Sequence, residues 1–154
     1  MICFYVPANM IFDSDRLRGK RILLVEDERV VREALRQLFT QDSHIVIEAN
    51  NGAEAFSLFH RQKFDLVVTD FEMPFVRGDE LAARIRQVAP NQPILMITGF
   101  SHRPSIDNPV DAVVKKPFDS ARLRAIMSKL LSQPGENMDA ELVGQQSAFG
   151  TNLS

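Results

Sequence analysis

The sequence predicts an α/β fold: a doubly wound, five-stranded parallel sheet with helices on both faces. Three observations predict it. Between residues 21 and 131, short apolar runs alternate with segments of helical periodicity. The runs are continuously apolar rather than alternating, as expected of strands buried on both faces. The chain has 154 residues, 45% hydrophobic and 25% charged, enough for one globular domain with a real core.

Each element has its own signal. Arg21-Ile22-Leu23-Leu24-Val25 is the first strand and runs into Glu26-Asp27-Glu28. Val31, Ala34, Leu35, Leu38 and Phe39 then recur at helical spacing from Glu28 to Thr40. His44 to Ala49 is the second strand, closed by Asn50-Asn51-Gly52, and a short helix fits Ala53 to Arg61. Asp65 to Thr69 is the third strand, ending at Asp70. Leu81, Ile85 and Val88 mark a helix from about Asp79 to Val88. Pro93 to Ile97 is the fourth strand, ending at Thr98. Ala112 to Lys115 is the fifth, ending at Lys116. Leu123, Ile126, Met127, Leu130 and Leu131 define the last helix, which Asp119 or Ser120 can cap. Between strands four and five, Pro104 and Pro109 leave room for at most one helical turn, so the fourth helix is expected to be shortened or absent.

The remainder divides the chain into an N-terminal extension (1–19), the folded domain (20–132) and a polar, acidic tail (133–154) expected to be disordered. The tail has Glu136, Asp139 and Glu141 and no Lys or Arg, so it reads as no DNA-binding output. The overall net charge of −2 gives no strong field toward nucleic acid or anionic membrane. A lone cysteine, Cys3, excludes an internal disulfide framework. No stretch approaches the ~18 apolar residues of a membrane span, and no basic region precedes the apolar start; the expected location is the cytoplasm.

In such a sheet the site lies at the carboxyl ends of the strands, where the strand order reverses. For the flavodoxin-like order 2-1-3-4-5, that is between strands one and three. Glu26, Asp27, Asp70, Thr98 and Lys116 all end strands there. Ionised carboxylates crowded together raise at least one pKa, and a hard divalent cation such as Mg²⁺ relieves the repulsion. A cation and a lysine are what a transferring phosphoryl group needs against its oxygens. Asp70 could then be a nucleophile, with Thr98 donating its hydroxyl to a phosphoryl oxygen.

These motifs resemble the receiver domain of two-component response regulators. The resemblance covers about Arg21 to Leu131. It rests on Leu24-Val25-Glu26-Asp27-Glu28, Val67-Val68-Thr69-Asp70-Phe71-Glu72-Met73-Pro74, Gly78, Ile97-Thr98-Gly99 and Lys116-Pro117-Phe118, in that order and each at a strand end. It implies a signalling switch rather than an enzyme, with Asp70 accepting a phosphoryl group from a sensor histidine kinase. It implies that Glu26 and Asp27 form the acidic pair and that Asp27, Asp70 and the Glu72 carbonyl hold Mg²⁺. It also implies that Thr98 and Lys116 engage the phosphoryl group and that Lys116-Pro117 is cis. The implied output is a downstream protein target, with a homodimer compatible and neither DNA nor membrane contacted directly.

Three departures mark this chain. Val113 stands where the family usually has Tyr or Phe, the Thr98–Lys116 connection is about a helical turn short, and Glu72 is acidic beside the acceptor. The first two keep a second reading open, an interaction module that works without phosphorylation. An aspartyl-phosphate hydrolase of the haloacid dehalogenase type fits poorly, since it wants an aspartate two residues after a nucleophile on the first strand. A flavodoxin-like electron carrier fits less well, because no Ser/Thr/Gly-rich phosphate loop follows strand one.

Overall fold

The computed structural model describes residues 17–99 and 109–132. Within them five strands and four helices alternate. They are β1 (Arg21–Val25), α1 (Arg29–Gln41), β2 (Ile45–Ala49), α2 (Gly52–Arg61), β3 (Leu66–Asp70), α3 (Gly78–Val88), β4 (Ile94–Thr98), β5 (Ala112–Lys115) and α4 (Ser120–Ser132). The sheet order is β2-β1-β3-β4-β5 and every pairing is parallel. The sequence expectation of architecture and strand order therefore holds, with element ends shifted by one residue. The readings of the N-terminal extension, the acidic tail and the link from Phe100 to Asn108, including its shortened helix, lie outside the described residues, apart from the turn at 17–19.

Strand periodicity sorts the core into two layers. Ile22 and Leu24 of β1, Leu66 and Val68 of β3, and Leu95 and Ile97 of β4 face Leu35 and Phe39 of α1 and Leu123, Met127 and Leu130 of α4. Leu23, Val25, Val67 and Ile94 face the other way, against Ala55 of α2 and Leu81, Ala82 and Ile85 of α3. Both faces of the central strands are thus dry, which is why those strands read as unbroken apolar runs. A parallel sheet built this way leaves the carboxyl ends of β1, β3, β4 and β5 on one edge.

Local chemistry sets the helix starts. Asn51 caps α2 by accepting from the Glu54 amide at 2.8 Å, and the Glu54 carboxylate accepts from the Asn50 amide at 2.8 Å. Asp119 accepts from the Arg122 amide at 2.6 Å, which settles the choice of cap for α4. Arg86 of α3 braces the start of β5. Its guanidinium donates to the carbonyls of Pro109, Pro90 and Gln92 and pairs with Asp111 at 2.6 Å. The same Asp111 oxygen accepts from the Ile94 amide. Helical spacing puts the arginines on the polar faces of their helices; Arg86 and Arg32 depart from those faces, because each turns inward to satisfy main-chain carbonyls.

Candidate functional site

The carboxyl edge gathers side chains that are far apart in sequence. Glu26 and Asp27 leave β1, Asp70 ends β3, and carboxylate oxygens of all three lie within 4.8 Å of one another. Lys116, just past β5, places its Nζ 3.3 Å from Glu26 Oε2 and 3.5 Å from Asp70 Oδ1. The register explains the convergence: β1 and β3 are neighbours, and Asp70 lies opposite Ile97 of β4. The Lys116 amide donates to the Thr98 carbonyl at 2.7 Å, which ties the lysine to the end of β4. The Lys116-Pro117 peptide is cis.

Burial differs sharply across the cluster. Glu26 is 2% exposed and Asp70 8%, whereas Asp27 is exposed. Every polar group of Glu26 has a partner. Its amide donates to the Ala49 carbonyl, its carbonyl accepts from Arg32, Oε1 accepts from the Glu28 amide at 3.1 Å and Oε2 accepts from Lys116. Asp70 Oδ1 accepts from the Phe71 amide at 2.8 Å.

The electrostatics follow from this crowding. Burial, with the Asp70 charge added, pushes the Glu26 carboxyl up from 4.5 to about 7, against the opposing pull of the Glu28 amide and Lys116. Burial also raises Asp70, although Lys116 and the Phe71 amide counter it. Burial would lower Lys116, but the charges of Glu26 and Asp70 together outweigh that and raise it. One lysine does not neutralise three clustered carboxylates. A small divalent cation with oxygen ligands fits this donor set: the oxygens are close, two are buried, and the exposed Asp27 leaves the cluster open to water.

A prediction for metal-free protein follows. Glu26 binds its proton more tightly folded than unfolded, so the folded state holds the extra proton between pH 4.5 and about 7. Stability therefore falls as the pH rises through that window, by roughly 3 kcal/mol in total. In chelator, Glu26→Gln is expected to be more stable than the parent at pH 8, with the gap closing near pH 5. Urea titrations at both pH values measure it, and a gap independent of pH would refute the assignment.

The other sequence candidates are placed as follows. Thr98 is buried at the end of β4, and its hydroxyl donates to the Gly99 carbonyl at 3.3 Å. Glu72 is exposed in the β3–α3 loop. Met73 is a core side chain and Lys115 is exposed. His44, which the sequence places at the start of the second strand, is half-buried with Nδ1 unpartnered, and burial lowers its pKa. Val113 is half-buried opposite Met96. In sequence Gly78 is only a motif glycine that follows the loop after Asp70. A Cβ at that position would stand 2.0 Å from the Asp70 carbonyl oxygen, and the Gly78 amide donates to the Phe71 carbonyl at 3.0 Å. Helical spacing gives Arg32 no role at this edge; its bond to the Glu26 carbonyl does.

Comparison with known proteins identifies a family. The family model for the response regulator receiver domain matches residues 22–128. The chain is 37% identical over 116 residues to the response regulator receiver protein CpdR of Brucella abortus, covering 73% of this chain and 97% of that one. It is 35% identical over 127 residues to the response regulator MprA of Mycobacterium avium, covering 80% of this chain but only 56% of MprA. The chain thus spans little more than half the length of that relative. Among solved structures, TrrA of Thermotoga maritima in complex with Mg²⁺-BeF superposes with a TM-score of 0.69 at 35% identity, covering 72% of this chain and 98% of TrrA. TrrA in complex with the histidine kinase ThkA gives 0.68 at 36% identity, covering 73% and 99%. With its sheet order, its carboxylate cluster and the family match over most of its length, this chain belongs to the response regulator receiver domain family of two-component systems.

Proposed function

We propose that this domain is a phospho-acceptor switch in which Asp70 takes a phosphoryl group from a sensor histidine kinase in a Mg²⁺-dependent reaction. The observation that carries the reading is Asp70 Oδ1, 3.5 Å from Lys116 Nζ and inside a carboxylate cluster at the sheet's switch point. Similarity to a receiver solved with Mg²⁺-BeF and with a histidine kinase supports it.

In this reading an Asp70 carboxylate oxygen attacks phosphorus as the bond from phosphorus to the donor histidine nitrogen breaks. The nitrogen leaves with the electron pair. Asp27, Asp70 and the Glu72 carbonyl would hold Mg²⁺, with Glu26 beside them. Bound there, the ion supplies charge against the phosphoryl oxygens. Lys116 already faces Asp70 and adds a second positive charge, and Thr98 turns its hydroxyl from the Gly99 carbonyl to a phosphoryl oxygen. Charge neutralisation at the edge then shifts a conformational equilibrium that a downstream protein reads. The domain would work in the cytoplasm, and among the described residues no helix is long and apolar enough to cross a membrane.

The test is intact mass after incubation with a small acyl-phosphate donor, with Mg²⁺ and with chelator. One phosphoryl adduct that requires Mg²⁺ is the expected result. No adduct across several donors, with the fold intact, would favour an interaction module that binds without being phosphorylated. Val113 and the short connection would then be marks of that role.

Glu72 carries a finer expectation, because its charge stands two residues from the acceptor. Glu72→Ala is expected to change the autodephosphorylation rate by about threefold, on the scale of one exposed charge nearby. Decay of the purified phosphoprotein measures it, and an unchanged rate would remove the role.

A further inference from the structure

We propose that Arg32 is the positioning residue of the acidic pair, holding the Glu26–Asp27 peptide in the orientation that metal binding requires. The inference rests on the Mg²⁺ reading above and assigns a side chain to it that touches none of the reacting atoms.

Three observations carry it. Arg32, in the first turns of α1, reaches back six residues and donates from one guanidinium nitrogen to the Glu26 carbonyl at 2.9 Å. A second nitrogen, Nε, pairs with Glu48 of β2 at 3.3 Å, and the arginine side chain is only 15% exposed. The Arg32 amide donates to the Glu28 carbonyl at 2.9 Å, so the side chain springs from the same turn that it closes. One residue thus links the β1–α1 turn, the first helix and the neighbouring strand.

The physical need is specific. The Glu26 carbonyl belongs to the peptide plane that sets where Asp27 begins. Repulsion among Glu26, Asp27 and Asp70 works to open this turn, and the Glu26 side chain is already committed to the Glu28 amide and to Lys116. Main-chain ties must therefore hold the plane. The Glu26 amide anchors the preceding Val25–Glu26 peptide, to the Ala49 carbonyl at 3.2 Å, and Arg32 holds the Glu26–Asp27 plane itself. The two contacts use the planar fork of a guanidinium at fixed spacing, which a lysine cannot reproduce. Arg36 is the natural control, because its Nε lies 3.9 Å from the same Glu48 while its hydrogen bonds, from Nε as well, go to Glu33.

The experiment measures Mg²⁺ affinity by calorimetry and amide exchange at Asp27 and Glu28 by NMR in chelator. It compares the parent chain with Arg32→Lys, Arg36→Lys and Glu48→Gln. Arg32→Lys is expected to weaken Mg²⁺ binding about tenfold, the usual scale for a group that orients a ligand. It should also speed exchange at the two amides in metal-free protein. Arg36→Lys should leave both unchanged. Glu48→Gln keeps the bond to the Glu26 carbonyl, loosens the outer contact of Arg32 together with the longer one of Arg36, and should weaken binding two- to threefold. That variant also keeps the inference testable if Arg32→Lys fails to fold. Parent-like affinity in both Arg32→Lys and Glu48→Gln, or an equal loss in Arg36→Lys, would overturn the role. A parent that binds no Mg²⁺ would instead overturn the metal reading on which the role rests.

Discussion

Asp70→Asn is expected to abolish the phosphoryl adduct while leaving the domain folded. The loss should exceed 10³-fold in rate, because an amide oxygen is no nucleophile under these conditions. The fold should survive for reasons visible around the residue. Asparagine keeps the oxygen that accepts from the Phe71 amide. It also removes a charge that burial and Asp27 make unfavourable. Lys116 retains Glu26 as a partner, and Glu26 loses the Asp70 charge that helps raise its pKa. Thermal stability of the metal-free variant should equal or exceed that of the parent. Mg²⁺ affinity should fall, because one of three clustered carboxylates is gone. Mass spectrometry, calorimetry and a melting curve on the two proteins test each arm. An adduct on the variant of the same size and rate would place the acceptor elsewhere and refute the reading.

Gly78→Ala is expected to cost about 3 kcal/mol and to slow acceptor chemistry at least a hundredfold. The reason lies in main chain rather than side chain. The added methyl would stand 2.0 Å from the Asp70 carbonyl oxygen, 3.0 Å from its carbon and 3.1 Å from the Phe71 Cα. None of these atoms can swing aside as a flexible side chain would. Either the start of α3 backs away or the end of β3 moves, and Asp70 is that end. Backing away would strain the bond from the Gly78 amide to the Phe71 carbonyl and loosen Leu81, Ala82 and Ile85 against the sheet. Urea denaturation and initial adduct rates measure the two effects. Stability within 1 kcal/mol of the parent would show that the loop relaxes freely.

Gly78 marks one boundary of what sequence reasoning reaches. Its place after the loop was legible, but the near-contact with Asp70 joins atoms eight residues apart that only a folded loop brings together. Asp70, Lys116, Glu26 and Asp27 were legible because chain topology sends the ends of parallel strands to one edge, and polar residues at the ends of apolar runs mark those ends. Phe39 and the β1, β3 and β4 side chains were legible for the same reason, since period and apolarity are local properties.

Arg32 and Arg86 mark the other boundary. In sequence each is one more charge among the helical Arg, Glu and Asp, and helical spacing alone puts it on a polar face. The structure turns Arg32 toward the Glu26 carbonyl and Arg86 toward three carbonyls and Asp111. A guanidinium is long enough to leave its own face, and its choice of acceptor depends on which carbonyls the neighbouring loops leave unpaired. The raised pKa of Glu26 is likewise a tertiary fact, because burial, Asp70 and Lys116 set it together. Strand order, core and candidate acceptor site were written in local pattern and topology. The charge balance of the site, the tie that orients its acidic pair and the glycine that its main chain demands came from three-dimensional packing, where desolvation and close contact act between residues that sequence spacing does not relate.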